Sequence, residues 1–302
     1  MPSFLPEPST ILINGLFIIS YIGLFFFAKW LKGTFSTYNL DEQLTQYDNN
    51  AVSVSTAGYF IGVTAVFIGA IVEPSSNLSL AERAAIQPDL SGLDSTTFLD
   101  LGLSIGIAVA GIFLLHAARF VNRKAILTEF SVDKELIKDQ NPGTGVVEAA
   151  SYVASGLIIA GALHGEGSNL LISLVFFVIG QLCLILFARV YARLTPYSVH
   201  DEIERDNLAA GLGFAGGLIS IGIIVMQAVS GNFSGWVEDL SLLAAEVLVV
   251  FVYLIAVRYI FDRFILRNSD LNTEIAEDQN IGAGLLEMVV AICFSLVLFF
   301  II

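Results

Sequence analysis

Long apolar segments alternate with short polar connections along this chain. Eight apolar runs of about 20 residues recur, and a helix of that length crosses the hydrocarbon core of a bilayer. Strands of a membrane β-barrel would instead alternate apolar and polar residues, and runs such as LVLFFII do not alternate. The pattern therefore predicts an all-α membrane protein. The eight predicted spans are 11–31, 51–72, 99–120, 143–164, 170–191, 208–230, 241–262 and 281–302.

The connections after the first, third, fifth and seventh spans share one order of residues. A residue suited to cap a helix is followed by two apolar residues four positions apart and then by a second cap before the next span. This order predicts a short amphipathic helix at the membrane face. The first caps are Asn39, Ser131, Ser198 and Asp270, and the apolar pairs are Leu40/Leu44, Val132/Leu136, Val199/Ile203 and Leu271/Ile275. The second caps are Asp48-Asn49, Asn141, Asp206-Asn207 and Asn280.

Two spans and the connection between them form a hairpin unit that occurs four times. The first and third units share the motif Asp-Asn-x-Ala followed by Ala-Gly, and the second and fourth match at a constant offset of 139 residues. We therefore predict two tandem four-span modules, 1–169 and 170–302. Because four spans is an even number, both modules insert the same way up, and a pseudo-twofold axis along the membrane normal is expected to relate them. The matched pairs include Asp100/Asp239, Arg119/Arg258, Asn141/Asn280 and Glu148/Glu287.

Charge sets the predicted orientation. Only 14% of the residues are charged, against roughly 25% in a soluble domain, so the charged residues are too few to cover a water-facing surface. Of the 14 basic residues, all except Arg83 fall on the side of the four capped connections. That side is therefore predicted to be cytoplasmic, with both termini outside. The lipid bilayer is the expected partner, and a formal net charge of −14 argues against nucleic acid.

The repeated segments YNLDEQLTQYDNNAVSVSTAGYFIG and YSVHDEIERDNLAAGLGFAGGLISIG resemble the YjfL-like family, which is catalogued as domain of unknown function 350. The resemblance covers nearly the whole chain as two copies. It implies a multi-pass protein of the bacterial inner membrane. Genes of the family often neighbour PspA-like membrane-stress and polyamine-synthase-like genes, which implies a role in envelope upkeep with cytoplasmic membrane-stress proteins as candidate partners. The resemblance carries over no binding or catalytic residue.

Two glutamates, Glu148 and Glu287, are the strongest candidates for a functional site. If Asn141 and Asn280 cap their spans, each glutamate lies about two turns inside the membrane, where an unpaired carboxylate costs several kcal/mol. Glycines precede both glutamates and allow the helix starts to open around an ion. The sequence thus predicts a cation or proton site that joins both glutamates and the two capping asparagines near the pseudo-twofold axis, with Asp48, Asn49, Asp206 and Asn207 as secondary candidates.

A structural interpretation of the same glutamates stays open. Arg119 and Arg258 end the neighbouring spans at a similar depth, so each arginine can form an ion pair with the glutamate of its own hairpin. In that case the glutamates hold the bundle together and bind no ion.

Enzymatic chemistry finds no support in the sequence. It has no nucleophile beside a base, no cluster of metal ligands and no phosphate-binding loop, so we expect no enzyme, no metal and no cofactor. Two functions remain. One is a channel or transporter for a small cation or protons, and the other is a membrane scaffold that recruits cytoplasmic partners. The oligomeric state does not follow from the sequence.

Overall fold

The computed structural model describes residues 8–71, 95–128, 130–163, 170–231, 233–264 and 270–301. Within them the chain forms eleven α-helices and one π-helical turn, and no strand. The helices are α1 Pro8–Phe35, α2 Leu40–Thr45, α3 Asn50–Ile71, α4 Ser95–Ala125, α5 Val132–Ile137, α6 Pro142–Leu163, α7 Leu170–Leu194, α8 Val199–Glu204, α9 Leu208–Val229, α10 Trp236–Phe264 and α11 Ile281–Ile301, with the π-helical turn at Thr273–Glu277.

Eight helices in this part of the chain are long and apolar enough to cross a membrane, which confirms the predicted fold class. The second helix of each hairpin begins within one residue of its predicted start. The first helices run further, and α4 and α10 extend several residues past the predicted spans 99–120 and 241–262. The added last turn of α4 contains Arg123 and Lys124. Cations at a helix C-terminus interact favourably with the helix dipole, so both residues stabilise this extension. Arg83 lies outside the described residues.

The second helices of the four hairpins, α3, α6, α9 and α11, stand side by side as a row. Small residues at their contacts let the backbones approach closely. A Cβ built on Gly156 would lie 2.5 Å from the Cα of Gly62, and one built on Gly222 would lie 2.6 Å from the Cα of Ala154. The first helices cover one side of the row. α4 lies between α3 and α6, α7 between α6 and α9, and α10 between α9 and α11.

The row is open, which corrects the expected pseudo-twofold arrangement. A twofold axis between the modules would place α11 against α3 as well as α9 against α6. Among the described residues α9 packs extensively on α6, whereas α11 packs on α9 and not on α3. The modules are therefore related by one head-to-tail step along the row. The contacts of α3 with α6, of α6 with α9 and of α9 with α11 repeat in the same register, so each row helix meets the next one head to tail.

The four connectors between the helices of each hairpin form as predicted, with one difference. Asn39, Ser131 and Ser198 cap α2, α5 and α8, and Asp270 Oδ1 accepts hydrogen bonds from the backbone N–H groups of Asn272 and Thr273. The fourth connector contains a π-helical turn at Thr273–Glu277, closed by an i→i−5 bond from the backbone N–H of Asp278 to the carbonyl of Thr273, and each of the other connectors contains one bond of the same span. Most of the apolar pairs are buried against the row helices, so the bundle covers them and lipid does not.

Candidate functional site

Four asparagines occupy equivalent positions at the start of the row helices. Each uses its side-chain Oδ1 to accept a hydrogen bond from a backbone N–H in the first turn, which confirms their predicted capping role. The bonds reach Val52 from Asn49, Thr144 from Asn141, Ala210 from Asn207, and Gly282 and Ala283 from Asn280, over 3.0–3.3 Å. Each Oδ1 thus serves as the cap of its own row helix.

The same asparagines join neighbouring hairpins. Each Nδ2 donates to a side chain in its own connector, and in the first three hairpins it also donates to a backbone carbonyl of the next connector. These long-range bonds run from Asn49 to Leu136 at 2.7 Å, from Asn141 to Ile203 at 2.6 Å and from Asn207 to Ile275 at 2.7 Å. The amides thus form a ladder that fixes the four hairpins in order.

The secondary candidates Asp48 and Asp206 serve the turn into the row helices. Both precede a cap and adopt left-handed backbone, with φ of 46° and 64°, and so do Gln140 and Gln279 before the other two caps. Asp and Asn tolerate this conformation better than most residues because their short side chains bond locally. Both aspartates are exposed. The structure therefore gives them a role in turning the chain and places no glutamate of the candidate site against them.

Glu148 is enclosed by cations. Arg119 Nε lies 3.3 Å and Arg123 Nε 2.6 Å from its Oε1, and the Ser55 hydroxyl donates to its Oε2. Arg123 continues to Asp133, at 2.5 Å, in the connector. Glu148 is only 2% exposed, so this network keeps a buried carboxylate charged and paired. In this module the structural ion pair is formed.

A buried lysine completes the first cluster. Lys32 is wholly buried, and its Nζ lies 5.1 Å from the ring centre of Tyr59 and 4.6 Å from that of Tyr152. Both tyrosines are also buried. The aromatic faces stabilise the ammonium group by cation–π interactions. The cavity beside Glu148 encloses about 10 Å³, which leaves room for no more than about one water.

Glu287 has fewer partners than Glu148. Arg258 Nη1 lies 2.7 Å from its Oε1, and the Tyr191 hydroxyl donates to the same oxygen at 3.3 Å. Arg258 also donates to Tyr191 Oη at 2.7 Å and to Asn272 Oδ1 at 3.1 Å. Oε2 of Glu287 is buried and has no hydrogen-bond partner among the described residues. The position that matches Arg123 is Asp262, which explains why only one arginine reaches this carboxylate.

A cavity of about 220 Å³ opens beside Glu287. Its polar end is formed by Tyr191, Arg258 and Glu287, and the rest of its lining is mostly apolar. The repeat explains the space. Gly217 and Ala291 line the cavity at the positions that Tyr59 and Tyr152 fill in the first module. The two modules therefore carry the same ion pair, and only the second leaves a space next to it.

Just outside the membrane-spanning part of α7, Tyr197 lies near this pair. Burial, followed by the negative charge of Glu287, raises the pKa of Tyr197 to about 12. Its hydroxyl group is therefore protonated at neutral pH.

The two glutamates do not form the shared site that the sequence predicted. Glu148 lies against α3 and α4, whereas Glu287 lies against α7, α9 and α10, and no described residue bonds to both. The open row separates them because α9 stands between α6 and α11.

Sequence reasoning also missed Arg123 and Tyr191. Arg123 follows Arg119 by one helical turn, so helical spacing could have identified it, whereas no sequence signal points to Tyr191.

Comparison with known proteins identifies the family. The family model described as Domain of Unknown Function (DUF350) matches residues 9–163 and again 167–302. The chain belongs to the DUF350 family. The two matches agree with the resemblance drawn from the repeated segments.

Two bacterial relatives of this DUF350 protein carry the name transmembrane protein. A UPF0719 transmembrane protein of Aquifex aeolicus (strain VF5) is 22% identical over 261 residues, which cover 83% of this chain and 85% of the relative. The UPF0719 transmembrane protein YshE of Bacillus subtilis (strain 168) is 26% identical over 122 residues, which cover 40% of this chain and 86% of the relative. No solved structure matches. With the eight apolar helices of the described chain, these names identify a multi-pass membrane protein.

Proposed function

We propose that this DUF350 protein is a proton-linked channel or transporter of the bacterial inner membrane, and that Glu287 is its proton-binding group. The observation that carries the proposal is the buried Oε2 of Glu287, which has no hydrogen-bond partner in the described chain and lies at a cavity of about 220 Å³. A buried carboxylate oxygen without a partner is costly, and a proton or a hydrogen-bond donor in the cavity would satisfy it.

A proton fits this site better than a metal cation does. The guanidinium of Arg258 lies 2.7 Å from Glu287 Oε1 and already balances the carboxylate charge, so a second cation would be repelled. No group of three or more possible metal ligands occurs among the described residues. Protonation of Glu287 would remove the charge that holds Arg258, and the released arginine could then move. This coupling is what a proton-driven conformational change requires.

Glu148 supplies a matched control because it has the same place in the repeat and no open cavity. In liposomes that contain a pH-sensitive dye, the wild-type protein should carry proton flux under an imposed potential. Glu287→Gln should abolish the flux of the folded protein and should also lower the unfolding temperature, because Arg258 loses its buried partner. Glu148→Gln should lower the unfolding temperature, because Arg119 and Arg123 lose a buried partner, while the folded fraction keeps its flux.

A cavity-filling variant separates the effect of the cavity on flux from the effect of the charge of Glu287. Ala291→Tyr introduces the residue that the first module has at the matching position, Tyr152, and should reduce flux while Glu287 and Arg258 remain. Equal loss of flux in the Glu148→Gln and Glu287→Gln variants would contradict the assignment of Glu287, and so would full flux in the Ala291→Tyr variant.

A membrane scaffold is the second candidate function, and the exposed surface of the connectors favours it. Acidic side chains are exposed there, which suits binding of a basic surface on a cytoplasmic membrane-stress protein. They include Asp41, Glu42, Asp139, Glu204, Glu277 and Asp278. Wild-type vesicles with no proton flux above that of protein-free vesicles would favour the scaffold over the channel or transporter.

A further inference from the structure

Each interior hairpin packs against the row helix of the hairpin before it. The connectors repeat the pattern of the first helices: α5 contacts α3 and α6, α8 contacts α6 and α9, and the π-helical turn contacts α9 and α11. The first hairpin has no predecessor in the described chain. There α2 packs on elements of its own hairpin, on α3 and, through the ion pair of Asp41 with Lys29, on α1, and α1 contacts α3 and α4. One end of the row thus lacks a neighbour that every other hairpin has.

The asparagine ladder has a matching free donor and free acceptor. Asn49, Asn141 and Asn207 are fully buried, whereas Asn280 is exposed and donates only to its own connector in the described chain. One amide hydrogen of Asn280 is therefore left over at the end of the row. At the start of the row, the carbonyl of Leu44 holds the position of the acceptors in the other connectors, and it accepts no side-chain hydrogen bond from the described residues.

The register of the contacts between row helices also indicates that a neighbouring helix is missing at the end of the row. In each contact between row helices, the second residue after one cap meets the fourth residue after the next cap. The observed pairs are Ala51/Gly145, Gly143/Gly211 and Ala209/Gly284. The next pair in this series joins Gly282, at the end of the row, to Ser53, at its start. A Cβ built on Gly282 would meet only Oδ1 of its own Asn280 within 4 Å, so this small residue has no described neighbour across the helix.

Exposed apolar side chains alone would not identify a protein partner, because lipid covers such residues in a membrane. A protein partner is indicated here because the exposed edge would continue an interface that the molecule already forms three times. The Bacillus subtilis relative agrees with it, since 86% of that protein matches only 40% of this chain, which is about one module.

We propose that a second copy of this chain continues the row. The α11 edge of one copy docks on α3, α1 and α2 of the next, Asn280 donates to the carbonyl of Leu44, and Gly282 packs on Ser53. The contact joins different surfaces of the two copies, so it is heterologous and builds a ring where the rotation closes or a filament where it does not. The partner is another copy of this chain because both surfaces of the proposed contact, the α11 edge and the edge formed by α3, α1 and α2, belong to this chain.

A native cysteine makes the contact testable. Inside the row, Gly62 meets Gly156 and Ala154 meets Gly222, so the thirteenth residue after one cap meets the fifteenth after the next. The same register brings the exposed Cys293 of one copy to Thr64 of the next. Backbones this close are within reach of a disulfide. Oxidation of membranes that contain the Thr64→Cys variant should give covalent dimers or a ladder of larger species.

The controls exclude other contacts. Thr64→Cys combined with Cys293→Ser should give no covalent dimers, and Ile68→Cys, one turn further along α3, should give far fewer than Thr64→Cys. Wild-type dimers linked through Cys293 would reveal a twofold contact between two α11 helices and would overturn the proposal. Equal cross-linking of the Thr64→Cys and Ile68→Cys variants, or none with either, would also overturn it.

Mass measurement provides an independent test. In lipid nanodiscs the wild type should be an oligomer, and Gly282→Leu should shift it to the monomer, because the added side chain occupies the contact with Ser53. Gly106→Leu is the matched control, since nothing lies within 4 Å of a Cβ at Gly106 on α4, and it should keep the wild-type mass. A monomeric wild type, or an oligomer that Gly282→Leu leaves unchanged, would contradict the proposal.

Discussion

At the scale of single residues, the four connectors share one feature, a left-handed residue directly before the capping asparagine. The residue before each cap adopts left-handed backbone although none of the four is glycine. This conformation costs a non-glycine residue roughly 1–2 kcal/mol. The hydrogen bonds of the asparagine that follows offset the cost, because the turn aims its amide at the next connector. The strain is therefore part of the contact that orders the hairpins.

This explanation predicts the effect of glycine before a cap. Gln140 is exposed and has φ of 50°, so Gln140→Gly should raise the free energy of unfolding by up to about 1 kcal/mol, and Gln140→Val should lower it by about 1–2 kcal/mol. Gln46 is also exposed but has φ of −105°, and Gln46→Gly should lower stability by about 0.5–1 kcal/mol. Thermal unfolding in detergent measures all three. A loss of stability in Gln140→Gly equal to that in Gln46→Gly would disprove the explanation.

At the scale of helices, two classes of glycine have opposite roles. Glycines of the row helices allow backbone contact, and glycines such as Gly106 and Gly102 on α4 meet nothing within 4 Å. Helices in lipid gain little from apolar burial, so close backbone approach contributes much of their association. Close backbone contact at small residues therefore contributes much of the packing within the row, and side-chain contacts hold the outer helices against the row.

The difference predicts opposite outcomes for one substitution. Gly156→Ala places a Cβ 2.5 Å from the Cα of Gly62 and should lower stability by about 1–3 kcal/mol, since backbone on backbone cannot yield. Gly106→Ala adds the same methyl group in open space and should raise stability by up to about 1 kcal/mol through helix propensity. Unfolding temperatures in one detergent compare the two variants. Equal effects would show that the row contacts do not depend on close backbone approach.

At the scale of the whole molecule, the eight helices and the capped connectors define two faces. The connectors lie on one face together with the basic residues that the structure describes, and the described ends of the chain, Pro8 and Ile301, lie on the other. Positive charge is retained on the cytoplasmic side during insertion. The connector face is therefore expected to be cytoplasmic.

A reporter protein tests this orientation. A fusion after Ile302 should behave as extracytoplasmic, and a fusion in the connector after Lys138 should behave as cytoplasmic. A cytoplasmic signal from the fusion after Ile302 would contradict the orientation predicted from charge. The connector fusion serves as the control for expression.

The sequence by itself determined what depends on neighbouring residues. Helix length, caps and apolar pairs arise from the local 3.6-residue period and from hydrogen bonds within a few residues, so the eight spans and the connectors could be predicted. The ion pairs of Glu148 with Arg119 and of Glu287 with Arg258 were also within reach, because each pair joins the two spans of one hairpin.

Only the tertiary structure decided which helices are neighbours. The open row, the separation of Glu148 from Glu287 and the cavity at Glu287 all depend on packing between helices distant in sequence. Tyr59 and Gly217 occupy the same position in a repeat, and the sequence does not show that one fills a space and the other leaves it open. That outcome depends on the side chains of other helices, such as Lys32, which pack against the same point in space.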